Sequence, residues 1–165
     1  MRRVLITGMS GVGKSSLLRE LAARGYRTVD TDYGGYHRTM DGETLWRPDR
    51  IEALLDSAPE SQPGALFVQG TTRNQTLFYP RFHHIVLLSA PAEVLEHRLT
   101  TRTTNSYGKD PAELAEALGY LETVEPALRE DATLEVVTTV PVPRVADIVL
   151  AHVLPKEPAA CSSRA

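Results

Sequence analysis

The chain has 165 residues, of which 42% are hydrophobic, and a formal net charge of −3. This length suits one globular domain, and the slightly acidic balance argues against a general attraction to nucleic acid or anionic lipid. The single cysteine, Cys161, excludes an internal disulfide and a cysteine-based zinc site. No apolar run approaches the ~20 residues of a membrane span. We therefore expect a cytoplasmic protein, a monomer or a homodimer, that binds neither membrane nor nucleic acid.

Short apolar strands alternate with helices along the chain. Strands are predicted at 3–7, 26–31, 65–69, 83–88 and 134–138, and helices at 14–24, 50–57, 91–102, from 111 onward, and at 144–154. Pro126 is expected to bend or break the fourth helix, and residues 33–47 and 103–110 are predicted to be irregular. The alternation is typical of an α/β fold in which helices cover both faces of a parallel sheet. One domain is expected over residues 1–154, followed by a disordered tail over 155–165.

The segment after the first strand, Gly8-Met9-Ser10-Gly11-Val12-Gly13-Lys14-Ser15, fits the pattern G-x-x-x-x-G-K-[ST]. Glycines in this pattern let backbone N–H groups turn toward phosphate oxygens, and the following helix directs its positive end to the same place. The lysine reaches the β- and γ-phosphates, and the serine hydroxyl binds Mg²⁺. The segment predicts a site for ATP with Mg²⁺, with candidate contacts at Gly8, Ser10, Gly11, Val12, Gly13, Lys14, Ser15 and Ser16.

Two acids follow the second strand. Asp30 and Asp32 are two residues apart, so their side chains are expected to point the same way, toward the crevice at the carboxyl ends of the strands. Many proteins with this phosphate loop end the third strand in a metal-orienting aspartate, but here that strand ends in the neutral Gln69. The absence of an acid there leaves Asp30 as the expected partner of Ser15 at the metal.

The phosphate loop, the Asp30-Thr31-Asp32 segment, the Gly70-Thr71-Thr72-Arg73 segment and the stretch from Arg98 to Lys109 together resemble the P-loop small-molecule kinases. This family includes shikimate, gluconate, adenylate and nucleoside kinases, and the resemblance covers residues 1–154. It implies a three-layer α/β/α fold with a five-stranded parallel sheet in the order 2-3-1-4-5. It also implies that Asp30 orients Mg²⁺, and that Asp32 holds or deprotonates a hydroxyl of a small-molecule substrate.

Arg98 and Arg102 are four residues apart, on one face of the predicted helix 91–102. The resemblance implies that these arginines act in catalysis at the start of a lid over residues 103–110, and that Arg102 also contacts ATP. It places the adenine against the backbone near Pro141, after the fifth strand. The residues expected on the substrate side are Asp32, Tyr33, Arg50, Gly70, Thr71 and Arg73.

The leading hypothesis is therefore an ATP-dependent kinase that phosphorylates a hydroxyl of a small metabolite. A nucleoside or nucleotide kinase is the first alternative, because the segment from Gly70 to Arg73 looks like the monophosphate-binding segment of adenylate kinases. A nucleotide-hydrolysing switch or sensor is the second alternative. It is disfavoured because the chain has no N-K-x-D sequence, and its only D-x-x-G match, which begins at Asp32, follows the second strand and not the third.

Overall fold

The computed structural model describes residues 1–154, so the predicted tail lies outside the described residues. The strands are β1 (Arg2–Thr7), β2 (Arg27–Asp30), β3 (His37–Met40), β4 (Glu43–Trp46), β5 (Ala65–Gln69), β6 (His84–Ser89) and β7 (Leu134–Val137). The helices are α1 (Lys14–Ala23), α2 (Pro48–Asp56), α3 (Ala92–Thr101), α4 (Pro111–Thr123), α5 (Glu125–Asp131) and α6 (Val142–Val153), and a 3-10 helix spans Gln75–Arg81. None of the helices within residues 1–154 is long and apolar enough to cross a membrane.

Five strands form one parallel sheet in the order β2-β5-β1-β6-β7. When β3 and β4 are left out of the numbering, this is the predicted order 2-3-1-4-5, so the predicted three-layer fold is confirmed. Central strand β1 pairs with β5 and β6, and its residues Val4, Leu5 and Ile6 are fully buried. Because parallel strands end at the same edge, this order brings the loops after β1, β2 and β5 side by side.

The core lies on both faces of the sheet, because alternate residues of each buried strand point to opposite sides. Val4, Ile6 and Phe67 belong to the cluster that α1 and α6 cover. Leu5 and Leu66 belong to the opposite cluster, which α2 and the 3-10 helix complete with Ile51, Leu54, Leu55 and Phe78. Helices on both faces explain why the strands read as continuous apolar runs.

The segment between β2 and α2 is more ordered than expected. The prediction that residues 33–47 are irregular is wrong, since β3 and β4 form an antiparallel hairpin. Asp41 and Gly42 close it with positive φ angles of 51° and 78°, as the tightest hairpin turns require. The hairpin ends on Trp46, whose side chain is fully buried.

The predicted break near Pro126 is confirmed. Helix α4 ends at Thr123, and α5 begins at Glu125 with the proline in its first turn, where a missing N–H costs nothing. The 3-10 helix after β5 was not predicted, because its residues show no helical period.

Candidate active site

The phosphate loop joins β1 to α1 at the edge where the parallel strands end. Gly8 cannot carry a side chain, because a Cβ there would lie 2.3 Å from the carbonyl oxygen of Leu88 on the neighbouring strand. Gly13 precedes α1 with a φ of 102°, a left-handed conformation that favours glycine. The backbone therefore curls into the open N-terminus of α1, where unpaired N–H groups and the helix dipole favour an anion.

Lys14 lies at the bottom of this loop. Its Nζ donates hydrogen bonds to the carbonyl oxygens of Gly8 at 2.6 Å and Met9 at 3.0 Å. Burial of the ammonium lowers the pKa of Lys14 from 10.5 to about 8, although the Asp32 and Asp30 carboxylates raise it in part. The two carboxylates balance the positive charge of Lys14 only in part, so pairing with an incoming anion such as a triphosphate is favourable.

Asp30, Asp32 and Gln69 meet beside the loop. The amide Nε2 of Gln69 donates a hydrogen bond to Asp30 Oδ1 and another, at 3.2 Å, to Asp32 Oδ2. The hydroxyl of Ser15 lies 3.4 Å from Asp30 Oδ2. The two acids therefore do converge at one place, and Gln69, noted in the sequence only for its lack of charge, joins them.

The residues present fit a cation that arrives with a nucleotide. Ser15 and Asp30 supply adjacent oxygen ligands of the kind that Mg²⁺ prefers, and Mg²⁺ is commonly held by one or two such groups together with phosphate oxygens. Within the described part of the chain, no group of three His, Cys, Asp or Glu side chains is placed to hold a metal ion without phosphate. The pair would hold the cation where the β- and γ-phosphates lie.

A cleft of about 520 Å³ opens above the loop. Of the predicted site residues, it is lined by Ser10, Gly11, Val12, Gly13, Lys14, Ser15, Ser16, Asp32, Tyr33, Arg98 and Arg102. Gln69, Thr138, Val140, Val142 and Val145 also line it and were not predicted as site residues. The valines give the cleft an apolar side after β7, around the predicted adenine position at Pro141, although that proline itself does not line the cleft.

Arg98 and Arg102 occupy different environments. Arg98 donates to Thr138 Oγ1 at 2.9 Å and to the carbonyl oxygen of Gly11 at 3.3 Å, and Thr138 Oγ1 in turn donates to the carbonyl oxygen of Val12 at 2.7 Å. Arg98 therefore ties the phosphate loop to the segment after β7. This geometry favours an anchoring role for Arg98 over a contact with the transferred phosphoryl group.

Arg102 is the better placed of the two for a phosphate. Its Nη2 donates to the carbonyl oxygen of Tyr107 at 2.7 Å and to Ser10 Oγ at 3.3 Å, while its Nε is buried without a hydrogen-bond partner among residues 1–154. Burial lowers the pKa of this guanidinium. An incompletely satisfied guanidinium at the rim of the cleft fits the predicted contact with ATP, which stays a prediction.

The predicted lid, residues 103–110, is held at its far end. Its backbone at Gly108 donates to Glu113 at 2.9 Å, and the Tyr107 hydroxyl donates to Glu116 at 3.2 Å, so α4 anchors the loop. Thr104 and Asn105 line the cleft from the free part of the loop. The segment thus brings polar groups to the cleft, and its predicted role as a lid over the phosphates stays a prediction.

Four predicted substrate residues do not line the cleft. Arg50 is exposed on α2. Arg73 pairs with Glu43 of the hairpin. Thr71 Oγ1 donates to the carbonyl oxygen of Gly8 at 2.9 Å and so supports the phosphate loop from behind. These three residues therefore have surface or structural roles in this structure.

Gly70 is the fourth of these residues, and Trp46 covers it. A Cβ at Gly70 would lie 2.7 Å from Trp46 Cζ2 and 2.4 Å from Thr31 Oγ1. The indole N–H donates to that Thr31 hydroxyl at 2.9 Å, and Asn74 bonds both backbone groups of Trp46. The space beside Gly70 at the end of β5, where a substrate was expected, is thus filled by the Trp46 side chain.

The comparisons with known proteins agree with this architecture. The sequence matches the AAA domain family over residues 4–119, whereas no curated protein matches it. A shikimate kinase from Acinetobacter baumannii, solved in complex with shikimate, is similar with a TM-score of 0.63 at 18% identity, covering 92% of each chain. A gluconokinase from Sinorhizobium meliloti is similar with a TM-score of 0.58 at 21% identity, covering 92% of this chain and 91% of its own. A sugar kinase from a Janibacter species is similar with a TM-score of 0.54 at 17% identity, covering 92% and 93%. The chain therefore belongs to the AAA domain family and has the fold of the P-loop small-molecule kinases.

Proposed function

We propose that the protein is a phosphotransferase that moves the γ-phosphoryl group of ATP, bound with Mg²⁺, to a hydroxyl of a small molecule. The observation that carries the proposal is the position of Asp32, which lines the same cleft as Lys14 and the phosphate loop. A switch that only hydrolyses a nucleotide needs no carboxylate for an acceptor hydroxyl. The similarity of the fold to kinases that act on small hydroxyl compounds supports the same assignment.

The chemistry assigned to each residue follows from its charge and place. The loop N–H groups and the Lys14 ammonium bind the β- and γ-phosphates, and Ser15 and Asp30 would hold the cation, which would supply positive charge against the phosphates. Asp32 accepts a hydrogen bond from the acceptor hydroxyl and takes its proton as the new P–O bond forms and the bond to the β-phosphate oxygen breaks. Arg102 stabilises charge on the transferred group from the lid side.

The acceptor side favours a neutral or weakly charged compound. Arg73, the cation expected to bind a nucleoside monophosphate, pairs with Glu43 outside the cleft, which counts against a nucleotide acceptor. Tyr33 is 74% exposed and lines the cleft next to Asp32. Its ring suits contact with a sugar or another ring-bearing molecule. We propose that the acceptor reaches Asp32 from the Tyr33 side, since Trp46 fills the space on the other side.

A screen for acceptor-dependent ADP release tests the proposal, with sugars, polyols, hydroxy acids and nucleosides as separate groups. Lys14→Ala is expected to abolish turnover, and Asp32→Asn is expected to bind ATP as the wild type does while losing transfer. Asp41→Asn is a matched control, since Asp41 is an exposed aspartate in a turn where asparagine tolerates the positive φ. Normal ATP binding with no acceptor-dependent turnover in any group would contradict the proposal.

A further inference from the structure

Gln69 lies at the point where three loops of the site meet. It is the last residue of β5, in register with Asp30 of β2 on one side and with Ile6 of β1 on the other. Its side chain is fully buried. The other buried residues of β5, such as Leu66 and Val68, are apolar, so a glutamine at this position calls for a reason beyond packing.

The hydrogen bonds of Gln69 show what orients its amide. A carboxylate only accepts hydrogen bonds, so two carboxylates beside one end of an amide require the nitrogen to face them. That choice leaves Gln69 Oε1 buried and without a partner among the described residues, which is unfavourable for a carbonyl oxygen. The contacts with Asp30 and Asp32 therefore outweigh the unpaired oxygen and determine how the side chain is held.

The two hydrogen bonds from the Gln69 amide also determine which groups each carboxylate faces. Asp30 keeps one oxygen on the amide and the other 3.4 Å from the Ser15 hydroxyl. Asp32 receives the second N–H of the amide at 3.2 Å, and its backbone N–H donates to Asp30 Oδ1 at 3.0 Å. Because glutamine is neutral, it holds the two acids close together without adding a third negative charge.

We propose that Gln69 is a positioning residue that couples the Asp30 and Asp32 carboxylates, so that Asp30 stays at the Ser15 side for the cation while Asp32 stays directed to the acceptor. The inference rests on the proposed function for the roles of the two acids. The hydrogen bonds of Gln69 to the two acids can themselves be tested without any phosphoryl transfer. Its expected consequence is that the gain in nucleotide affinity from Mg²⁺ depends on the Gln69 amide.

The test compares the affinity for a fluorescent ATP analogue with and without Mg²⁺ in the wild type and in Gln69→Met. Methionine fills a similar volume and has no N–H donor. The Mg²⁺-dependent gain in affinity is expected to fall about tenfold, as for the loss of a hydrogen bond to a charged group. The melting temperature is expected to stay the same or fall slightly, because the two hydrogen bonds to the acids outweigh the unpaired oxygen that is removed with them. An unchanged gain would overturn the proposal.

A second buried glutamine gives a matched control. Gln75 is 1% exposed and bonds Thr7, Tyr79 and the backbone of Thr72, none of which is a carboxylate. Gln75→Met is expected to lower the melting temperature and to leave the Mg²⁺-dependent gain unchanged. If Gln75→Met reduced that gain as much as Gln69→Met does, the effect would be general loosening of the site and the proposal would fail.

Two further variants keep the test decisive. Gln69→Asn keeps the amide but cannot span both carboxylates, so it is expected to reduce the gain as well. Asp30→Asn alone is expected to reduce the gain, and adding Gln69→Met to it should have little further effect, because the glutamine acts through that acid. Additive losses would overturn the proposal. A wild type that binds Mg²⁺ and the analogue but never phosphorylates an acceptor would refute the kinase function and leave this result standing.

Discussion

The charge of Lys14 is expected to control nucleotide binding at mildly alkaline pH. An ordinary lysine has a pKa of 10.5 and stays charged at pH 9, whereas burial lowers the pKa of Lys14 to about 8. At pH 9 only about a tenth of the protein would carry the Lys14 proton before a nucleotide binds. Since the triphosphate pairs with the charged form, the affinity for ATP should be nearly constant below about pH 7, about half as large at pH 8, and about tenfold lower by pH 9.

The same shift has a cost in stability, and its sign follows from proton binding. Below pH 8 both the folded and the unfolded protein hold the Lys14 proton, so the folded state carries the full penalty of a buried charge. Between pH 8 and 10.5 the unfolded state binds more protons, so stability should rise with pH. A shift from 10.5 to about 8 corresponds to at most about 3 kcal/mol. Lys14→Met should therefore be more stable than the wild type at pH 7.

The assay is a titration of the fluorescent ATP analogue at constant ionic strength between pH 7 and pH 9.5. Lys14→Arg keeps the positive charge throughout this range, so its affinity should be flat and serves as the control for any titration of the nucleotide. The Tyr107 hydroxyl, in the predicted lid, does not interfere because burial raises its pKa to about 12. A wild-type affinity that is equally flat, or a Lys14→Met variant less stable than the wild type at pH 7, would refute the reasoning.

Three substitutions around the loops test the packing of the site. Gly70→Ala should lower the free energy of unfolding by about 1–3 kcal/mol, measured by urea denaturation, because the new Cβ would lie 2.4 Å from Thr31 Oγ1 and 2.7 Å from Trp46 Cζ2. Trp46→Phe should cost about 1–3 kcal/mol in the same assay, since Thr31 loses its indole N–H partner in a buried site. Arg98→Lys should weaken nucleotide binding and have less effect on the rate of transfer at saturation, because a lysine cannot reproduce the hydrogen bonds to Thr138 and the loop. An equal loss of binding and of transfer rate would instead assign Arg98 a contact with the transferred phosphoryl group.

The sheet was predictable because its signals are local. Each buried strand is a short apolar run, and each helix shows its own period or its own proline, so alternation along the chain is enough to predict parallel strands. The order of the strands came from the resemblance of the phosphate loop and its neighbouring segments. The hairpin carried a local signal too, since Asp41-Gly42 is a typical turn pair. It was missed because the residues around it do not alternate between apolar and polar.

The site was predictable only where function depends on the backbone or on one strand. The phosphate loop is a continuous segment, and Asp30 and Asp32 are neighbours at and just after the end of β2, where the Asp32 N–H donates to Asp30 Oδ1. Arg73 carries no local sign that it pairs with Glu43, 30 residues earlier. Arg98 is similar, because its partners in the loop and after β7 lie 87 and 40 residues away. The roles of such side chains depend on contacts with distant parts of the chain and could be recognised only in the structure.

Gln69 and Trp46 give a structural role to the strand that lacks the expected acid. The end of β5 has no acid for a cation, and Gln69 uses that position to hold Asp30 and Asp32 together. Beside Gly70, where substrate residues were predicted, Trp46 fills the space and donates to Thr31, which itself donates to the backbone carbonyl of Gln69. Gln69 and Trp46 thus both connect β5 to the segment that follows β2. We therefore propose that the hairpin shapes the acceptor side as much as the sheet does, and that the choice of acceptor responds to changes in the hairpin.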